Sequence, residues 1–152
     1  MLKNDGTLPF EESIEQIVFV GPWANATVQM QGNYYGVAPA LVSPYQGTLN
    51  AGYNATYIAG TTISGTSRAG FADALAAAKR ADAIVFAGGI DESIEREGKD
   101  RTTISWPGVQ LALVEELAAL EKPLVVIQFG GGQVDNTVLK TNSQVRFSSF
   151  DD

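Results

Sequence analysis

The 152-residue sequence contains no cysteine and no histidine. These absences exclude the usual zinc sites, thiol nucleophiles, Ser-His-Asp triads and imidazole general bases. Any proton transfer by this chain must therefore come mainly from carboxylates, lysine or tyrosine. We expect neither a metal nor a cofactor.

Basic residues are also scarce, because 10 Lys and Arg stand against 17 Asp and Glu, for a net charge of −7. The few cations are scattered, so the sequence predicts no nucleic-acid partner and no anionic membrane partner. The negative net charge is more compatible with a neutral ligand than with an anionic one. No apolar run approaches the roughly 20 residues that a membrane span needs. The start, MLKNDGTLPF, lacks the features of a signal peptide, so we expect any export signal to lie outside this chain.

The composition is that of a globular protein, with 45% hydrophobic and 18% charged residues. At this length we expect one domain that occupies residues 1–152. Asn25-Ala26-Thr27 and Asn54-Ala55-Thr56 are glycosylation sequons that an exported protein could use, although such triplets also arise by chance.

Short apolar runs that end at glycine or proline predict strands buried on both faces. The four main candidates are 17–20, 55–59, 83–87 and 124–129, and 145–147 is a weaker one. Amphipathic segments between them predict two main helices. One is capped by Ser67 and runs to Arg80, with Phe71, Leu75 and Ala78 on one face. The other has Pro107 in its first turn and carries the apolar stripe Leu113, Val114, Leu117 and Leu120. Shorter helical pieces are expected at 27–30, 43–46 and 134–139.

Buried strands that alternate with amphipathic helices indicate an α/β fold, an open and mostly parallel sheet flanked by helices, which we expect to be incomplete at its C-terminal end. Ligands of such sheets meet the loops at the carboxyl ends of the strands. The loops after Val20, Ala87 and Phe129 should therefore lie along one edge.

The loop after the third strand is the densest group of ionisable side chains in the sequence. Its acidic residues alternate with cations in the run Asp91-Glu92-Ser93-Ile94-Glu95-Arg96-Glu97-Gly98-Lys99-Asp100-Arg101. Such a mixture can adjust pKa values for general acid/base chemistry, but composition alone favours a solvated surface loop, because charge runs usually lie on the surface. Gly130-Gly131-Gly132 allows close backbone approach, but a tight turn is a better explanation than a nucleotide site. The aromatic residues Trp23, Tyr34, Tyr35 and Trp106 could stack on a sugar or pack in the core.

Several motifs, taken in order, resemble one known family. They are Leu2-Lys3-Asn4-Asp5-Gly6-Thr7-Leu8-Pro9, Gly21-Pro22-Trp23-Ala24-Asn25, Gln31-Gly32-Asn33-Tyr34-Tyr35-Gly36, Ala87-Gly88-Gly89, Glu97-Gly98-Lys99-Asp100-Arg101, Trp106-Pro107-Gly108-Val109-Gln110 and Gly130-Gly131-Gly132-Gln133-Val134-Asp135. Together they resemble the C-terminal α/β-sandwich domain of glycoside hydrolase family 3, in the form found in fungal β-xylosidases. The resemblance extends to about Asn142, and residues 143–152 form an atypical tail.

The resemblance implies a role for the acidic loop. In this family a (β/α)8 barrel supplies an Asp nucleophile, and the sandwich domain supplies the Glu acid/base. Carried over by motif, the acid/base is Glu97, and Glu95 is the rival candidate. Asp100 and Arg101, with Tyr34 and Tyr35, are expected to bind substrate or shape the loop.

The same resemblance implies partners and location. The substrate is expected to be a β-linked xylo-oligosaccharide, and the parent protein is expected to be extracellular and glycosylated at Asn25 and Asn54. The barrel is missing from this chain, so the isolated chain should be inactive. An uncovered interface could then lead to self-association or to docking with a barrel. The alternative is a non-catalytic fragment that binds carbohydrate or a partner.

Overall fold

The computed structural model describes residues 2–32 and 34–150, and for residues 147–150 it describes the backbone only. Five strands form one parallel sheet in the order β2-β1-β3-β4-β5. The strands are β1 (Gln16–Val20), β2 (Asn54–Ile58), β3 (Ala83–Gly89), β4 (Leu124–Phe129) and β5 (Val145–Phe150). The helices are α1 (Pro44–Asn50), α2 (Phe71–Arg80), α3 (Gln110–Ala118) and α4 (Thr137–Thr141), with a 3-10 turn at Val28–Gln31. The predicted α/β class is confirmed.

The central strands are apolar on both faces because helices or loops cover both sides of the sheet. Alternate residues of each strand enter opposite layers. Ile84 and Phe86 of β3 pack with α2 and α3, whereas Val85 and Ala87 face α1 and the N-terminal segment. All seven residues of β3 are buried, which explains why this run is continuously apolar.

Two helix starts differ from the prediction. Helix α2 begins at Phe71 and not at Ser67, whose hydroxyl instead accepts a hydrogen bond from the amide of Ala69 at 3.2 Å. Helix α3 begins at Gln110, three residues after Pro107. Gly108 has a φ of 64°, which an α-helix cannot accommodate, so residues 107–109 form a separate turn.

The C-terminal segment joins the sheet. The short helix expected at 134–139 is α4, slightly later in the chain, and the weak strand becomes β5, which pairs with β4. Arg146 at the base of β5 forms an ion pair with Asp5. A hydrogen bond from Thr7, together with Arg146, holds the pKa of Asp5 below its usual range. The N-terminal segment is thereby fastened beside the last strand. Among the described residues no helix is both long and apolar enough to span a membrane.

The fully buried side chain of Gln110 connects helix α3 to the end of β3. Its amide oxygen accepts a hydrogen bond from the amide of Gly89 at 2.9 Å. Its amide nitrogen donates to the carbonyls of Gly89 and Ile63, both at 2.8 Å. Gln110 therefore satisfies backbone groups at the point where the sheet gives way to the acidic loop.

We predict that Gln110→Met lowers the free energy of unfolding by about 2–4 kcal/mol, because it removes the partners of the buried backbone groups of Gly89 and of the half-buried carbonyl of Ile63. Urea denaturation of the 152-residue chain measures the change. The exposed Gln144 provides the control, and Gln144→Met should change stability by less than about 0.5 kcal/mol. An equal loss in both variants would contradict this role for Gln110.

Candidate active site at the carboxyl edge of the sheet

A cavity of about 300 Å³ lies where three strands end. Trp23 and Gln29 follow β1, the acidic loop follows β3, and the glycine turn follows β4. The chain passes from β1 outward to β2 and then crosses back to β3, so the connections leave β1 and β3 in opposite directions. Ligand sites of doubly wound sheets lie at this reversal, beyond the carboxyl ends of the strands.

The glycine turn after β4 packs directly against the acidic loop. Gly130 has a φ of 141°, and a Cβ at this position would overlap with the side chain of Ile90. A Cβ at Gly132 would overlap with the carboxylate of Glu95, whereas one at Gly131 would meet nothing within 4 Å. The glycines therefore allow the close approach of the two loops. The connection from β4 to α4 runs over residues 130–136, which is longer than the tight strand-to-helix turn that the sequence predicted.

The acidic loop is ordered from its first residues. Buried Ile90 donates its amide to the carbonyl of Phe129 at 3.1 Å, which anchors the start of the loop to the end of β4. The amides of Ile94 and Glu95 then donate to the carbonyl of Asp91 at 2.9 and 3.1 Å. The amide of Ser93 donates to the Asp91 carboxylate at 2.9 Å. The loop therefore begins as a compact, hydrogen-bonded turn.

Glu97 occupies the tip of a hairpin turn, residues 96–99, here called the Glu97 turn. The amide of Arg96 donates to the carbonyl of Lys99 at 3.1 Å, and the amide of Lys99 donates back at 2.9 Å. Gly98 supports the reversal with a φ of 73°. The side chain of Glu97 is exposed, borders the cavity, and forms no hydrogen bond or ion pair within residues 2–32 and 34–150.

The cations of the loop bind groups other than Glu97. Arg96 donates to the carbonyl of Glu92 at 2.7 Å, and the ammonium group of Lys99 donates to the carbonyl of Ser93. Both contacts connect the Glu97 turn to the residues that precede it in the loop. Asp100 is exposed and takes no part in these contacts.

Among the described residues Glu95, unlike Glu97, has its carboxylate in an ion pair. Its Oε2 lies 2.9 Å from Nε of Arg101, in an ion pair whose angle is not that of a hydrogen bond. Only 11% of the Arg101 side chain is exposed, and its Nη2 donates to the carbonyl of Gln133 beyond the glycine turn. Arg101 thus connects the acidic loop to the segment that follows β4.

Two more buried polar atoms face this region without a hydrogen-bond partner in the described part of the chain, Nε1 of Trp23 and Oε1 of Glu92. The Trp23 ring is buried and stacks on Phe129, with centroids 4.9 Å apart and planes at 12°. Buried polar groups normally have partners, so these two atoms stand out as unsatisfied among the described residues. In the sequence Trp23 was one of several aromatic candidates and part of one family motif, and its position shortly after β1 was the signal available.

The other aromatic candidates lie elsewhere. Tyr34 and Tyr35 are 82% and 54% exposed, on a loop outside the wall of the cavity. Trp106 belongs to the core, and its indole nitrogen donates to Asn136 at 3.0 Å. Asn136 in turn donates to buried Gln128 at 2.7 Å, in a polar network that sequence patterns did not reveal.

Two more kinds of site were considered in the sequence, the glycosylation sequons and a metal site formed by acidic side chains. Asn25 and Asn54 are both exposed, and the Oδ1 of Asn25 accepts a hydrogen bond from Ser43 at 2.8 Å. Across the described residues, no three acidic side chains converge as they would around a metal ion.

Comparison with known proteins identifies the family. Residues 1–146 match the family described as the glycosyl hydrolase family 3 C-terminal domain. The chain belongs to this family. A probable exo-1,4-beta-xylosidase, xlnD of Aspergillus terreus, is 60% identical over 145 residues, which are 95% of this chain and 18% of that protein. The corresponding protein of Aspergillus aculeatus is 55% identical in an alignment 152 positions long, which covers 95% of this chain and 19% of that protein.

Solved structures agree with this assignment. A family 3 exo-beta-xylosidase, XlnD, in complex with a xylobiose aziridine probe superimposes with a TM-score of 0.94 at 50% identity, covering 97% of this chain and 20% of that one. A beta-glucosidase from Listeria innocua shares the fold, with a TM-score of 0.83 at 24% identity over 99% of this chain and 21% of its own. The family 3 domain therefore corresponds to about a fifth of the length of these relatives.

Proposed function

We propose that this chain is the acid/base-bearing domain of a retaining β-xylosidase, with Glu97 as the acid/base. The observation that carries the proposal is the placement of Glu97, whose exposed and unpaired carboxylate borders the cavity at the strand-end edge. The membership of residues 1–146 in the family 3 C-terminal domain supports it.

Glu97 fits the role better than Glu95 for a geometric reason. A general acid must turn one oxygen toward the leaving group, within about 2.6–3.2 Å of the atom that it protonates. Glu95 has its Oε2 paired with Arg101 and packed beside Gly132. The carboxylate of Glu97 has no such engagement within the described residues and stands at the tip of a turn that projects from the sheet edge.

The proposed chemistry has two steps. Protonated Glu97 donates its proton to the glycosidic oxygen while a carboxylate nucleophile attacks the anomeric carbon from the opposite face. The C–O bond breaks, the aglycone leaves as an alcohol, and a glycosyl-enzyme remains. Ionised Glu97 then takes a proton from water, whose oxygen attacks the anomeric carbon and releases the nucleophile.

The nucleophile in this proposal comes from a (β/α)8 domain outside this chain. The two carboxyl groups of a retaining glycosidase stand only about 5–5.5 Å apart, so Glu97 must approach that domain closely. An exposed residue at the tip of a projecting turn is suited to such an approach, and residues buried in the sheet are not.

We propose β-1,4-linked xylo-oligosaccharides as the substrate, hydrolysed from their ends. The support is the names of the relatives, exo-1,4-beta-xylosidases, and the xylobiose-based probe bound to the similar solved structure. The net charge of −7 agrees with a neutral substrate. Trp23, which lines the cavity, and the exposed rings of Tyr34 and Tyr35, which lie on a loop outside the cavity wall, are the proposed aromatic contacts to different parts of the sugar chain.

A second candidate function is non-catalytic partner or carbohydrate binding. It is favoured by the loop that carries Tyr34, Tyr35 and Val37, whose side chains are 82%, 54% and 101% exposed. Exposed apolar side chains grouped along one loop are typical of contact surfaces. The same loop can serve either function, so activity measurements decide between them.

We predict that the isolated chain does not hydrolyse aryl β-xylosides, and that a chimera does. The chimera replaces the matching span of the Aspergillus terreus relative with residues 1–146 of this chain. In the chimera, Glu97→Gln should lower kcat/KM for a xyloside with a poor leaving group by about 10²–10⁴-fold, because the group that protonates the leaving oxygen is lost. Substrates with good leaving groups should lose much less.

Glu95→Gln in the same chimera tests the rival candidate, and azide is the reagent that separates loss of the acid/base itself from loss of a residue that only positions it. Azide attacks the glycosyl-enzyme without a base, so it should restore turnover of an activated xyloside by Glu97→Gln and yield xylosyl azide. Rescue of Glu95→Gln in place of Glu97→Gln would transfer the role to Glu95. Turnover by the isolated chain that Glu97→Gln abolishes would refute the need for a second domain.

We also propose that the parent protein is extracellular and glycosylated at Asn25 and Asn54. Both side chains are exposed, and Asn54 lies at the start of β2, the strand at one edge of the sheet. A glycan at either site can extend into solvent without disturbing the core.

We predict that secretion of this chain from a fungal host yields protein whose mass falls after treatment with an N-glycanase. Asn25→Gln and Asn54→Gln should each remove one glycan in mass spectrometry, because each sequon needs its asparagine. Unmodified protein with full sequon occupancy in a co-secreted control glycoprotein would count against both sites.

A further inference from the structure

Arg101 lies between two loops that both border the cavity, and its contacts suggest a role distinct from that of Glu97. One side of its guanidinium pairs with Glu95, two residues before Glu97. The other side donates to the carbonyl of Gln133, on the segment after β4. We name this set the Arg101 bridge, comprising Glu95, Arg101 and the carbonyl of Gln133.

The Glu97 turn needs such a bridge because its own hydrogen bonds are local. The amide pairs between Arg96 and Lys99, and the contacts of these two side chains with the carbonyls of Glu92 and Ser93, join the turn only to its own loop. These contacts keep the shape of the loop. They do not fix its orientation relative to the sheet.

The acidic loop is attached to the neighbouring segment at its two ends by backbone hydrogen bonds. Ile90 donates to Phe129 at 3.1 Å, and Asp135 donates to Ile104 at 2.7 Å. Between these anchors Ile94 packs against the main core cluster, and the Arg101 bridge is the polar side-chain connection that the described residues provide to the segment after β4. It holds the two flanks of the Glu97 turn, at positions 95 and 101, against that segment.

Gly132 makes the bridge possible. A Cβ at this position would overlap with Oε2 of Glu95 and lie 3.1 Å from Nη2 of Arg101. The absence of a side chain therefore leaves the space in which the ion pair sits. A Cβ at Gly131, the preceding residue, would meet nothing within 4 Å.

We infer that Glu95, Arg101 and Gly132 are positioning residues that orient Glu97 toward the leaving-group oxygen. This inference rests on the proposed function of Glu97. A displacement of about 1 Å in a catalytic group can cost about 100-fold in rate, so a bridge that fixes one loop against another affects the chemistry without contacting substrate.

The test compares two alanine variants in the chimera described above. Gly132→Ala places a methyl group into the ion pair. Gly131→Ala adds a methyl group to the same cavity wall without meeting the ion pair, so it corrects for any loss that a methyl group on the cavity lining causes by itself. Relative to Gly131→Ala, Gly132→Ala should lower kcat/KM by about 10–100-fold for a xyloside with a poor leaving group. For a dinitrophenyl xyloside, which needs little protonation, the loss should stay within about threefold.

Arg101→Lys is the second variant. It keeps the positive charge, but an ammonium group cannot reproduce the planar fork that contacts Glu95 and Gln133 together. It should show the same dependence on the leaving group, with a thermal midpoint close to that of the parent chimera. Equal losses on both substrates, or no loss beyond that of Gly131→Ala, would overturn the inference.

A measurement on the 152-residue chain itself does not depend on activity. Hydrogen exchange should be about tenfold faster at the amides of Arg96 and Lys99 in Gly132→Ala than in Gly131→Ala, because the Glu97 turn loses its attachment. Unchanged exchange would contradict the bridge. If Glu97→Gln shows no dependence on the leaving group while exchange still responds to Gly132→Ala, the proposed function fails and the bridge stands as a structural feature.

Discussion

The side-by-side pairing of β3 and β4 is the constraint on which the site depends. Because the two strands are parallel, the loops that follow them leave the sheet at the same edge. The amide of Ile90 donates to the carbonyl of Phe129, so the acidic loop and the glycine turn start in contact. The Arg101 bridge and the position of Glu97 are both consequences of this common origin.

Close approach of the two loops requires small residues, and the glycines satisfy this requirement in different ways. Gly130 has a backbone conformation that L side chains rarely adopt, and it packs against Ile90. The backbone conformation of Gly132 is one that other residues can adopt. A side chain at Gly132 would instead overlap with the ion pair between Glu95 and Arg101. A run of identical residues therefore serves two separate functions.

The acidic loop shows how charge can be arranged to leave one group free. Its three cations, Arg96, Lys99 and Arg101, bind backbone carbonyls or Glu95. Glu97 is flanked by these cations in the sequence, yet it has no partner among the described residues. Residues of opposite charge that are neighbours in sequence do not always form ion pairs. An unpaired carboxylate in a charged loop therefore indicates a functional site better than the number of charges does.

The sequence by itself determined the α/β class, the strands and the edge at which the loops meet, because buried parallel strands require runs that are apolar on both faces. Its motifs also identified the family. The sequence pattern misplaced the starts of α2 and α3. Residues typical of helix starts, such as Ser67 and Pro107, also occur in turns that precede a helix without belonging to it. Only the tertiary structure separated Glu95 from Glu97. That distinction depends on the carbonyl of Gln133 and the space at Gly132, which reach the loop through the pairing of two strands distant in sequence.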